Sequence, residues 1–76
     1  MELNAWIASL SEKDAIDAAA ERLEEKPRTV YSWVRFDRAP SFKSAMNIVK
    51  KADGAVDFNG IYYPFMREVD EGRGRF

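Results

Sequence analysis

The chain has 76 residues, a net charge of −1, no cysteine and no histidine. A single small domain of this size buries only about 60% of its unfolded surface, and this one has neither disulfides nor thiolate-bound zinc to staple it. Without imidazole there is no histidine-based triad or metal site, and no apolar run approaches the roughly 20 residues of a membrane span. A soluble intracellular protein is the expectation, with no enzyme activity, cofactor, metal or membrane partner. The adjacent carboxylates Glu24/Glu25 and Asp70/Glu71 are better explained by solvation than by catalysis, because charged residues stay outside.

Met1–Leu10 carries Leu3, Trp6, Ile7 and Leu10 at i, i+3, i+4, i+7, which predicts one apolar helical stripe. Ser11 and Asp14 form a capping-box pattern. The second helix then runs to about Leu23, with Ile16, Ala19, Ala20 and Leu23 on one face. The run Ala18–Ala20 favours helix, and its small side chains let another helix approach closely. Glu24-Glu25-Lys26 must turn. Many such turns carry glycine, which reaches positive φ at no steric cost; here the turn either avoids that region or carries strain.

Pro27–Arg35, PRTVYSWVR, is the stretch that defines the reading. Proline suits the first helical position, where its missing N–H would be unpaired anyway. At about 100° per residue, Arg28, Ser32 and Arg35 share one side with Tyr31 flanking, while Val30, Trp33 and Val34 take the other. Forked donors and short hydroxyls are the side chains a groove-reading helix needs.

Phe36–Ala39 is a connector, and Pro40 biases Ala39 to an extended conformation. Ser41 caps a further helix with Phe42, Ala45, Met46 and Val49 as its stripe and Ile48 widening it. Gly54 stops it, after Lys50 and Lys51 complement the helix dipole. Asn59-Gly60 signals a short β-hairpin over 55–63; a helical turn capped by Asp57 and ended by Pro64 competes. Phe58, Ile61, Tyr62, Tyr63 and Phe65 are more apolar surface than a small monomer readily buries, so they are candidates for a homodimer surface. Residues 1–66 form the domain and 67–76 a flexible tail.

Charge is segregated. Residues 1–25 hold seven acids against Lys13 and Arg22. Residues 26–51 hold seven bases (Lys26, Arg28, Arg35, Arg38, Lys43, Lys50, Lys51) against Asp37 alone, and residues 52–76 hold five acids against three bases. With a Debye length of about 8 Å at physiological salt, a polyanion near the middle segment would feel mainly local charge.

The pattern is all-α, four to five helices with a helix-turn-helix. The stretch AIDAAAERLEEKPRTVYSWVRFDRAPSFKSAMNIVKKADGAVDF resembles the phage Cro repressors and the related YdaS-type antitoxin regulators. The matching places are Ala19, Ala20, Leu23, Val30, Trp33, Pro40, Ala45, Ile48, Ala52, Gly54, Ala55 and Val56, over roughly residues 12–58. Glu24 and Glu25 stand where the family has a glycine and an apolar residue, and Pro27 where a polar residue often opens the recognition helix. The resemblance implies a small phage or prophage regulator in the bacterial cytoplasm that binds double-stranded operator DNA, often as a dimer. Its DNA-facing positions would be Lys26, Pro27, Arg28, Tyr31, Ser32 and Arg35, with flanking phosphate contacts for which Arg38 and Lys43 are the candidates. The competing class is a protein-binding module, antitoxin or anti-repressor, acting through an acidic surface on the same scaffold.

Overall fold

The computed structural model describes residues 1–74. Five helices follow in order: α1 Leu3–Ser9, α2 Ala15–Leu23, α3 Pro27–Val34, α4 Phe42–Lys51 and α5 Phe58–Asp70. There is no strand among the described residues. Helix α2 is the hub and packs against α1, α3 and α4, while α5 lies against α4.

Small side chains explain the hub. Ala19 and Ala20 of α2 and Ala45 of α4 are buried; a methyl group leaves little between two helix axes. Trp6, Leu23, Val30, Trp33, Ile48, Val56 and Ile61 fill the surrounding space. The first-helix stripe Leu3, Trp6, Ile7 is buried as its spacing predicts. Ser11 accepts from the Asp14 N–H at 3.1 Å, but Asp14 itself is the residue before the helix, and α2 begins at Ala15. The Ser11 bonds therefore shape the α1–α2 loop.

The stripe expected on α4 holds at Ala45, Ile48 and Val49 and fails at Phe42 and Met46. Ala45 and Ile48 are fully buried, and Ala52 just past the helix nearly so, whereas Phe42 is 69% exposed and Met46 39%. Two overlapping i, i+3/i+4 stripes run along this helix. The side that carries Ala45 and Ile48 faces inward, where the small side chain of Ala45 permits the close approach of α2.

The hairpin expected over 55–63 does not form. Asp57 accepts from the Gly60 N–H at 2.7 Å and caps α5, and Ile61, Pro64 and Phe65 face inward. The Asn59-Gly60 pair serves a different purpose from a turn. A Cβ on Gly60 would overlap the Met1 carbonyl oxygen, so glycine here lets the N-terminal segment cross the start of α5. Glu2 and Arg67 lock that crossing through two bonds of 2.7 Å. Gly60→Ala is expected to lower stability by about 1–3 kcal/mol through overpacking, read as a lower denaturant midpoint with an unchanged m-value.

Pro64 lies inside the helix and does not end it. It forfeits the bond to the Gly60 carbonyl, a helix-interior cost of about 3 kcal/mol. Burial of Ile61, Pro64 and Phe65 on the same face offsets that cost. The helix reaches Asp70, four residues into the stretch expected to be a tail. Gly72, at φ 78°, then closes it: the Arg73 N–H bonds the Glu68 carbonyl and the Gly72 N–H the Val69 carbonyl. The Arg73 guanidinium also grips the carboxylates of Glu68 and Glu71. Arg75 and Phe76, the last residues of the expected tail, lie outside the described residues.

Candidate nucleic-acid interface

The corner between α2 and α3 is built by a Schellman closure. The Glu25 N–H bonds the Ala20 carbonyl at 2.9 Å and the Glu24 N–H the Glu21 carbonyl at 3.3 Å. This requires a left-handed residue between them, and that residue is Glu24, with φ 58° and ψ 41°. The turn thus takes the strained alternative left open by the missing glycine. Left-handed backbone costs a side-chain-bearing residue roughly 1–2 kcal/mol.

Bonds from α4 hold the corner in place. The Asn47 amide donates to the Leu23 carbonyl at 2.8 Å. The Ser44 hydroxyl donates to the Glu25 carboxylate at 3.0 Å, while Ser41 caps α4 by accepting from the Ser44 N–H. Lys51 lies 3.9 Å from the Glu24 carboxylate, an exposed pair worth little. Glu24→Gly is expected to raise stability by about 1 kcal/mol, the relieved strain exceeding the added chain entropy and the lost ion pair. Thermal unfolding should show a midpoint higher by about 4–8 °C.

Pro27 takes the first position of α3. Val30 and Trp33 are buried, so the opposite side of α3 faces out. Its far end closes the way α2 does. Phe36 is left-handed at φ 59°, the Asp37 N–H bonds the Ser32 carbonyl at 2.9 Å, and the Phe36 N–H bonds the Trp33 carbonyl at 3.1 Å. The Phe36 ring packs edge-on against Phe65, centroids 5.0 Å apart, a contact that offsets backbone strain at a bulky residue. From α1, the Asn4 amide donates to the Val34 carbonyl at 3.3 Å. Closure brings the connector back beside α3, since the Arg38 N–H also reaches the Ser32 carbonyl at 3.3 Å.

Between α3 and the returning connector lies an open groove of about 540 Å³ lined by Lys26, Arg28, Thr29, Ser32, Asp37 and Arg38. Four of the residues expected at the site, Lys26, Arg28, Ser32 and Arg38, meet here. No residue of the acidic first quarter lines the groove. Arg28 is exposed and Ser32 half-buried. The Ser32 hydroxyl donates to the Thr29 carbonyl at 2.6 Å, which leaves its oxygen as an acceptor toward the groove.

The other expected residues are placed differently. Tyr31 and Arg35 form a pair: the guanidinium lies 5.5 Å from the ring centroid and donates to the phenol oxygen at 3.1 Å. That bond, with the Asp37 carboxylate 3.8 Å away, raises the Arg35 pKa above its ordinary value. Lys43 lies outside the groove. It lines a separate recess with Glu24, Glu25, Ser44 and Asn47, where two carboxylates oppose any phosphate. Thr29 and Asp37 enter the groove although sequence reasoning did not select them. The signal for Asp37 was present, as it is the one acid within residues 26–51.

A second recess, about 460 Å³ and almost wholly apolar, is lined by Ala39, Tyr62, Phe65, Met66, Val69 and Asp70. Of the five residues expected on a dimer surface, Ile61 and Phe65 are in the core, at 0% and 4% exposure. Phe58 and Tyr63 are exposed, and Tyr62 is half-buried with its hydroxyl donating to the Pro40 carbonyl at 2.8 Å. Among the described residues no acidic or other ligand cluster fits a metal ion, and no helix is long and apolar enough to cross a membrane.

No family model, curated protein or solved structure matches the chain.

Proposed function

We propose that this protein is a transcriptional regulator of the Cro-like type, which binds double-stranded operator DNA by setting α3 in the major groove. The observation that carries this reading is the mainly cationic groove along α3, with Lys26, Arg28 and Arg38 beside Thr29, Ser32 and Asp37, at the exit of the hydrogen-bonded α2–α3 corner. Arg28 offers a fork that matches the O6 and N7 atoms of guanine, and Ser32 tolerates several bases. Lys26 and Arg38 hold phosphate, which sets register and not sequence. Tyr31 buttresses Arg35, so these two act as one preformed contact at the far end of the helix. The site of action is the cytoplasm of a bacterial host cell.

The partner beside DNA is a second copy of the chain, joined through the exposed Phe58 and Tyr63 and the half-buried Tyr62. Selection of bound duplexes from a random library tests DNA recognition and the dimer together. A symmetric site is expected, with half-sites about one helical turn, roughly 34 Å, apart. Failure to enrich any sequence would overturn the proposal.

One feature favours a protein partner instead. The Phe42 and Phe58 rings stack 5.7 Å apart and nearly parallel, both exposed. If no duplex is enriched, the antitoxin or anti-repressor reading takes its place.

A further inference from the structure

We infer that Tyr62 is a positioning residue for the groove: its hydroxyl, bonded to the Pro40 carbonyl, fixes the connector so that Arg38 meets the duplex backbone. This deepens the proposed DNA-binding function and rests on it. One wall of the groove is α3. The other is the connector that carries Arg38, which belongs to no helix. Arg38 is exposed, so the reach of its guanidinium is set by the backbone that launches it. A group already held in its binding geometry loses less freedom on binding.

The chain is tied on both sides of Arg38. Before it, the Phe36 ring packs edge-on against Phe65, centroids 5.0 Å apart. After it, the Tyr62 hydroxyl donates to the Pro40 carbonyl at 2.8 Å. Both ties come from α5, from residues three apart. A third tie runs to α3, where the Asp37 and Arg38 N–H groups bond the Ser32 carbonyl at 2.9 and 3.3 Å. Pro40 is buried and lies outside every helix, so its carbonyl must find a partner beyond the helix ladders. Without the Tyr62 hydroxyl that carbonyl is left unpaired, and the chain shifts to satisfy it. Burial raises the Tyr62 pKa above the ordinary tyrosine value, so the phenol keeps the proton it donates at neutral pH. Helix α5 thus braces a groove that, among the described residues, none of its own side chains lines.

The experiment compares the full chain with Tyr62→Phe, Arg38→Ala and the double variant. Tyr62→Phe removes the hydroxyl and keeps the ring, so a dimer surface that uses the ring is unchanged. Binding to the selected duplex is read as a function of salt. Tyr62→Phe should flatten the slope of log K against log salt by up to about one unit and raise Kd at 0.1 M salt by up to about tenfold, as loss of one phosphate contact does. In the Arg38→Ala background the same substitution should change Kd by less than about twofold, because the two act through one contact. Hydrogen exchange of the free chain gives a readout without DNA. The Asp37 and Arg38 amides should exchange about 5-fold faster in Tyr62→Phe than the change at the α2 core amides accounts for, the worth of one hydrogen bond. Uniform speeding along the chain, an unfolded variant, an unchanged salt slope, or equal losses with and without Arg38 would each overturn the inference while leaving DNA binding intact. Absence of any retained duplex with the unaltered chain would overturn both.

Discussion

Trp33→Ala is expected to destabilise the fold by about 3–5 kcal/mol. Trp33 is 2% exposed and among the largest fully enclosed side chains. It sits on the inner side of α3, directly behind the groove face. A chain of this size has about 4–11 kcal/mol of total stability at the usual 0.05–0.15 kcal/mol per residue, so the loss removes much or all of it. Urea unfolding followed by circular dichroism measures the change. DNA binding should be lost with the fold although Trp33 touches no solvent-facing ligand. A variant whose unfolding free energy lies within about 1 kcal/mol of the parent's would mean that α3 is not anchored through this ring.

Arg28→Ala should do the reverse. Arg28 is exposed, so the melting temperature should hold. Binding should weaken by about 1–3 kcal/mol if the guanidinium forks onto a guanine, which is roughly 5- to 150-fold in Kd. Loss confined to one base position identifies a base contact; equal loss on every sequence identifies a phosphate contact. No loss on any sequence removes Arg28 from the interface. Together the two variants separate the side of α3 that holds the fold from the side that meets the ligand.

Elements with a local rule behind them were legible in the sequence. Pro27 at the first position of α3, Ser41 as the cap of α4, and the stripes of α1 and α2 each depend on residues within one or two turns. The exposed cationic side of α3 followed from periodicity alone. What was not legible depends on partners far along the chain. Gly60 looked like a turn residue because its reason for being glycine is Met1, 59 positions away in sequence. Pro64 looked like a stop, and only the packing of Ile61 and Phe65 against the core keeps the helix going. On α4, spacing found Ala45, Ile48 and Val49, but it also selected Phe42 and Met46, which the packing leaves exposed.

The groove itself shows the same division. Lys26, Arg28 and Ser32 come from one local stretch and were found together. Arg38 and Asp37 arrive through the left-handed turn at Phe36, a conformation that no residue pattern announced. Lys43 belongs to the basic segment in sequence but lies among Glu24 and Glu25 in space. Charge counted along the chain grouped Lys43 with residues that line a different recess.

The most direct measurement of the central claim is the affinity of the intact chain for its selected duplex as a function of salt. Lys26, Arg28 and Arg38 around one groove should together neutralise about three phosphates or fewer per copy, so log K should fall against log salt with a slope of up to roughly −3 per copy. Arg38→Ala should flatten that slope by about one unit. A slope near zero for the intact chain, or no retained duplex at the lowest salt, would contradict the account.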